Sequence, residues 1–293
     1  MTVSLLVEQL VNGIITGSMY ALMGAGLALV YGTMRVMNFS HGEFFMVAAY
    51  ILFLALGALM LPTIPAALLA ILGAACLGGL IEKGLIEPLM KREGWELGTI
   101  VTTLGLSFIL QNGVLQVIGE EYYTLQYFVD GSITLFGVTL PYQRLLILAV
   151  AIGTIALMEL FLRRSRAGWA LRAVSQDAQA ASVVGINVGR VFLMAFALSG
   201  ALSGVAAVMM APIQSVNPWM GVPMGLKAFV VVVLGGMGSF RGTIIAGFIV
   251  GIVEALGTTV TSSEWRELFS FGLLILIIWF KPEGLFGNVG RRA

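Results

Sequence analysis

The chain has one histidine, His41, with an acid two residues on, Glu43. Both stand in the run Asn38-Phe39-Ser40-His41-Gly42-Glu43, between two apolar stretches. Two kinds of chemistry fit. Histidine changes charge near neutral pH, so a histidine–acid pair can relay protons. The same residues can instead fix a polar loop at a membrane interface by hydrogen bonds. One histidine with one nearby acid is a poor relay, which favours the second reading. A further acid, Glu254, interrupts an otherwise apolar run. An acid there is costly, so it must face the interior of a bundle or water. It serves either as a structural hydrogen-bonding group or as part of a path. Enzyme motifs are absent: there is no HExxH, GxSxG or CxxC, and no GxxxxGK[ST] phosphate loop. The chain does not read as an enzyme, and no cofactor or metal is expected. The single cysteine, Cys76, excludes an internal disulfide framework.

The elements that hold these groups are membrane helices. Of 293 residues, 59% are hydrophobic and only 11% are charged, against roughly 25% charged in soluble domains. The mean hydropathy of +0.99 agrees. Such a surface needs lipid around it. A net charge of +1 gives no basic excess for nucleic acid. The apolar runs are continuous rather than alternating, which excludes an outer-membrane barrel. The expectation is an all-α polytopic bundle forming one transmembrane domain over residues 1–293.

A crossing helix needs about 20 apolar residues. Charge-free stretches cover residues 9–34, 44–81, 97–119 and 191–226. The second is too long for one crossing, and Pro62 and Pro65 divide it into two helices. Further apolar runs lie at 145–162, 228–234, 243–260 and 268–280, giving eight or nine membrane segments. No signal peptide is expected, because Glu8 precedes the first apolar run and no basic region does. Three GxxxG pairs, Gly13/Gly17, Gly200/Gly204 and Gly247/Gly251, predict close helix packing.

Orientation follows the basic residues. Residues 163–190 carry Arg163, Arg164, Arg166, Arg172 and Arg190 against Asp177, and should be cytoplasmic. Lys83, Lys91 and Arg92 put a second loop inside, and Lys281, Arg291 and Arg292 put the C-terminus there. Residues 119–144, with Glu120, Glu121, Asp130 and the aromatics Tyr122, Tyr123, Tyr127 and Phe128, form an outer loop.

A faint internal repeat is visible. Val30-Tyr31-Gly32-Thr33-Met34 precedes Ser40-His41-Gly42-Glu43, and Val233-Leu234-Gly235-Gly236-Met237 precedes Phe240-Arg241-Gly242-Thr243. Glycine-interrupted apolar segments in two halves of a chain point to a substrate path. The pattern predicts that residues 38–43 approach Gly235, Gly236, Met237 and Gly238 near the centre and line a route, with Glu254 a candidate beside them.

Residues 167–184 are alanine-rich, with Leu171 and Val174 three apart, and predict a short helix closed by Gly185. Here the sequence resembles a known family. Gln179-Ala180-Ala181-x-x-x-Gly185 resembles the EAA loop of ATP-binding-cassette importer permeases, with Gln179 in place of the leading Glu and Asp177 nearby to supply an acid. The runs LRAVSQDAQAASVVGINV, RVMNFSHGEFFMVAAY, VVVLGGMGSFRGTIIAGFIVG and WFKPEGLFG are similar to the Liv-type branched-chain amino acid permeases, and to the shorter of their two permease types. The resemblance implies a bacterial inner-membrane permease for leucine, isoleucine, valine or a related small amino acid. It implies as partners a homologous second permease, cytosolic P-loop ATPases that do the hydrolysis, and a periplasmic binding protein. It also implies that Ala180, Ala181 and Gly185 contact the ATPase, with Arg172 and Asp177 at the polar rim. An ion-coupled secondary transporter of a small solute is the alternative, since it too uses repeats and broken helices.

Overall fold

The computed structural model describes residues 3–135 and 138–287. Arg291 and Arg292 lie outside them. The longest helix, α1 (Val3–Met34), is also the most enclosed: 89% of its apolar window is buried. Its 32 residues span about 48 Å, more than a hydrocarbon core of about 30 Å. Next come α2 (His41–Gly57) and α3 (Thr63–Ile81), separated at Pro62 as expected. A π-turn at Glu82–Ile86 carries α3 into α4 (Glu87–Met90), so Lys83 lies on a helix rather than in a loop. Then α5 (Trp95–Ile118) crosses back.

The segment that follows α5 adds a small strand element to the otherwise helical fold. It contains an antiparallel hairpin of β1 (Ser132–Leu135) and β2 (Val138–Pro141), with Ile133 opposite Leu140. After α6 (Tyr142–Arg164) come the short helices α7 (Arg166–Gln176) and α8 (Ala178–Val183), then α9 (Val188–Met210), α10 (Gly221–Gly235), α11 (Phe240–Val260) and α12 (Arg266–Phe280).

Among the described residues, six helices are long and apolar enough to cross a membrane: α1, α3 (with its extension to Met90), α5, α6, α9 and α11. Helices α2 and α10 are apolar but shorter, at 17 and 15 residues. The expected run at residues 228–234 is thus part of α10, which at about 22 Å is too short for a full crossing.

Glycine sets the packing of the centre. Helix α1 runs antiparallel to α11, and both of its GxxxG glycines face the matching pair on α11. A methyl group at Gly17 would lie 2.9 Å from the Gly247 carbonyl oxygen and 2.9 Å from the Phe248 Cα. Gly204 similarly abuts Ile71 of α3, so the third pair joins α9 to α3. Helix α5 is the opposite case, with only 6% of its apolar window buried.

The bundle therefore has two ends. Met34, the loop before Phe240, and helices α7 and α8 share one. The hairpin and the starts of α1, α3 and α6 share the other. The C-terminal segment lies at the α7–α8 end, where the Leu285 and Phe286 amides donate to the Leu234 and Gly235 carbonyls at 2.8 and 3.1 Å.

The Gly17 contact is testable by contrast with Gly105 of α5, where a methyl group would meet nothing within 4 Å. Gly17→Ala should destabilise the purified protein by about 1–3 kcal/mol through overpacking. Gly105→Ala should be neutral or stabilise by up to about 1 kcal/mol through helix propensity. Thermal midpoints in one detergent compare the two directly.

Candidate translocation site and coupling surface

After Met34 the chain turns at Arg35, in a left-handed conformation with φ of 58°, and runs back into the bundle without helix. The return is measurable. The His41 ring meets the Met23 carbonyl oxygen at 2.9 Å, and Met23 stands 11 residues before Met34 on α1. That places His41 about 16 Å back along the helix axis. Six residues of extended chain reach about 20 Å, enough for the return.

This corrects the expectation that His41 and Glu43 are interfacial. Both are buried at depth, and the segment brings its own polar partners. Asn38 Oδ1 accepts from the Ser40 amide at 3.0 Å and from Ser40 Oγ at 2.7 Å. The two His41 ring nitrogens also lie 3.2 and 3.3 Å from the Ser199 and Ser203 hydroxyls of α9. The Phe39 amide donates to Thr103 Oγ1 of α5 at 3.2 Å. His41 is tied to a carbonyl and hydroxyls, while Glu43 accepts from Ser107 Oγ of α5 at 2.8 Å. The two form no hydrogen bond, so the relay reading finds no support.

Helix α2 thus begins inside the bundle and climbs to the hairpin end, where Phe53 stacks on Tyr123 at 4.2 Å. Helix α10 begins at the same depth and descends to the α7–α8 end. Their first turns abut. A methyl group at Gly225 would lie 3.1 Å from the Gly42 Cα, and one at Gly221 would lie 2.7 Å from the Gly42 carbonyl oxygen. Phe39 stacks on Phe229 of α10 at 4.7 Å. A groove of about 170 Å³ opens beside this junction, between α5 and α10, with Glu43, Ser107 and Gln111 among its lining residues.

The second repeat unit lies elsewhere. Gly235 ends α10, and Gly236, Met237 and Gly238 form a tight turn at the α7–α8 end. Gly236 has φ of 100° and packs on the C-terminal segment at Glu283 and Gly287, while Gly238 meets Gly32. Residues 38–43 and Gly235–Gly238 sit at opposite ends of α10 and do not approach each other. The physical reason is loop length: four residues in a tight turn cannot climb back as residues 35–40 do.

Glu254 proves to be one member of a buried ion-pair network. Lys227 Nζ lies 2.5 Å from its carboxylate, Tyr20 donates to it at 2.8 Å, and Ser270 Oγ is bonded to it as well. Lys227 also reaches the half-exposed Glu267 at 2.7 Å. The network joins α1, α10, α11 and α12. Sequence reading missed Lys227, although a lysine between two apolar runs was the available signal. Next to Glu254, a polar cavity of about 520 Å³ opens toward the hairpin end, lined by Gln9, Asn12, Arg144 and Gln214 among others.

At the other end, the segment expected as one helix is two. Asp177 is extended, with φ of −155°, and its carboxylate accepts from the Gln179 and Ala180 amides at 2.9 Å each. It ends α7 and caps α8, so its acid is spent on the turn. Gln179 and Ala180 are exposed, but Ala181 is buried against the body. Val183 and Val184 are 86% and 76% exposed; sequence reading passed over both. Gly185 follows with φ of 88°. Arg172 is exposed and lines a cavity of about 350 Å³ with Glu159, Arg163 and Arg241. There Glu159 pairs with both Arg163 and Arg241 at 2.6 Å.

The Lys227–Glu254 pair makes a specific prediction. Removing one partner of a buried ion pair costs about 3–5 kcal/mol, whereas replacing both by apolar groups costs little. Lys227→Met should lower the thermal midpoint markedly, and Lys227→Met/Glu254→Leu should recover much of the loss. A double variant less stable than the single would show that the pair does not act as a unit.

Comparison with known proteins fits this architecture. Residues 9–278 match the family model described as branched-chain amino acid transport system / permease component. The high-affinity branched-chain amino acid transport system permease protein BraD of Pseudomonas aeruginosa is 35% identical, covering 96% of this chain and 95% of its own. The corresponding LivH of Escherichia coli K12 is 34% identical with the same coverage. A solved structure, PsaBC from Streptococcus pneumoniae in complex with a Fab, has a TM-score of 0.51 at 14% identity, over 96% of this chain and 94% of that one. That likeness concerns the fold alone. The chain belongs to the family of branched-chain amino acid transport system permease components.

Proposed function

We propose that the chain is the permease subunit of an ATP-binding-cassette importer that carries branched-chain amino acids across the bacterial inner membrane. The observation that supports it most is the junction of α2 and α10, two short helices whose N-termini meet at depth. Non-helical backbone at that depth must border protein or a wet cavity. Half-helix N-termini there are a recurrent way of meeting a polar solute. The substrate class comes from the names of BraD and LivH.

In this reading the α7–α8 end faces the cytoplasm, since it carries Arg163, Arg164, Arg166, Arg172 and Arg190. The hairpin end faces outward and meets a periplasmic binding protein. A homologous second permease covers the face formed by α5 and α10, and closes the path. Cytosolic ATPases supply the energy, and α8 docks on them through Gln179, Ala180, Val183 and Val184. Ala181 holds α8 to the body rather than touching the ATPase. For the ion-coupled alternative Glu254 offers no free acid, because it is matched by Lys227, Tyr20 and Ser270.

The test is leucine uptake into proteoliposomes holding the full complex, with loaded binding protein. Gly185→Val should cut uptake and stimulated ATP hydrolysis about tenfold while the complex assembles. A β-branched residue at that positive φ costs roughly 1–3 kcal/mol and reshapes the exit from α8. Val183→Asp should act the same way through the docking surface. Normal stimulation in both would remove α8 from the coupling path.

A further inference from the structure

We propose that the Glu43 carboxylate receives the α-ammonium group of the amino acid as it passes this subunit. This rests on the transport reading above and goes beyond it by assigning the contact. Glu43 is 1% exposed. Its Oε1 accepts from Ser107 Oγ, but its Oε2 has no hydrogen-bond partner. Among the described residues no lysine or arginine is paired with it. An unmet buried carboxylate oxygen is expensive and calls for an explanation. Glu254 shows the contrast in the same molecule, because its carboxylate is matched by Lys227.

The surroundings say what the missing partner is. Glu43 lines the groove between α5 and α10. A methyl group at Gly221 would fall 2.7 Å from Oε2, so a side chain there would crowd this buried oxygen and glycine leaves it room for a partner. The walls are apolar, from Phe39, Leu104, Phe108, Leu226 and Phe229, with Gln111 as a polar group. At about 170 Å³ the groove is smaller than the roughly 300 Å³ at which drug-sized pockets begin. A small aliphatic solute with one cationic head fits this chemistry. The abutting N-termini of α2 and α10 add partial positive charge on the same site, which suits a carboxylate on that solute. Together these describe a zwitterionic amino acid with an apolar side chain. The rival role for Glu43 is an acid that offsets the dipole of α2. It accounts for a carboxylate in the first turn, but not for a buried oxygen left without a partner on a residue that lines a groove.

The experiment uses the assembled complex in nanodiscs, with Cys76→Ser and a reporter cysteine from Val222→Cys at the groove. Val222 is 42% exposed. Alkylation by a small maleimide is timed with and without leucine-loaded binding protein. With Glu43 present, leucine should slow labelling about tenfold, the equivalent of one ~1.4 kcal/mol contact. Glu43→Gln should abolish that protection while the ligand-free labelling rate stays as it was, which a misfolded helix start would not allow. Undiminished protection in Glu43→Gln overturns the assignment. A second measurement needs no Glu43 variant: excess free leucine should protect, and 4-methylpentanoate, which lacks the ammonium, should not. Equal protection by both also overturns it. Radiolabelled leucine uptake by the parent complex separates the two readings. No uptake defeats the transport reading itself, whereas uptake with Glu43-independent protection defeats the Glu43 role alone.

Discussion

A chain that turns back into the middle of a bilayer has to carry its own hydrogen-bond partners. Water is not there to supply them, and each unmet backbone group costs several kcal/mol. Residues 38–41 supply part of what that condition asks. Asn38 folds over Ser40, Thr103 takes the Phe39 amide, and His41 bridges the Met23 carbonyl to two serines of α9. With these bonds made, α2 can start at depth instead of at the surface. Everything that resembles a path follows from that start: the meeting with α10, the groove beside α5 and the placement of Glu43.

Close glycine contacts make the same arrangement sterically possible. The first turns of α2 and α10 approach through Gly42, Gly221 and Gly225. The central α1–α11 pair approaches through Gly13, Gly17, Gly247 and Gly251. Without an apolar driving force between helices in lipid, such backbone proximity is how dispersion holds a bundle together. The Lys227–Glu254 pair adds a polar tie at the same depth, joining α10 to the α1–α11 core. The start of α10 is thereby held from two sides, by Gly42 and by the network at Lys227, nearly two turns further on.

Much of this was readable in the sequence, and the failures have physical causes. Charge-free runs and Pro62 gave α1, α2, α3 and α5 because length and charge are local properties. The GxxxG pairs gave the packing seams for the same reason. The depth of residues 38–43 was read two ways, near the centre from the repeat and at an interface from the lone histidine–acid pair, because linear spacing does not say whether a break stays at the surface or climbs. The repeat correctly marked two helix–break–helix units, yet only the first break is long enough to re-enter. Lys227 was overlooked because it divides two apolar runs, each of which was read separately. Asp177 was expected to offer a free acid, but an aspartate followed by Gln179 and Ala180 amides is also a helix cap, and the cap prevails. No single side chain in the sequence names a solute class; the likeness of whole runs to a family suggests one.

The most direct measurement is the depth of the α2–α10 junction in a real bilayer. A cryo-electron-microscopy map of the complex in a lipid nanodisc shows both the chain and the bilayer midplane. The account predicts that Gly42 and Gly221 lie together in the central third of the roughly 30 Å hydrocarbon core. Finding either residue at headgroup level, or the two apart, would contradict it.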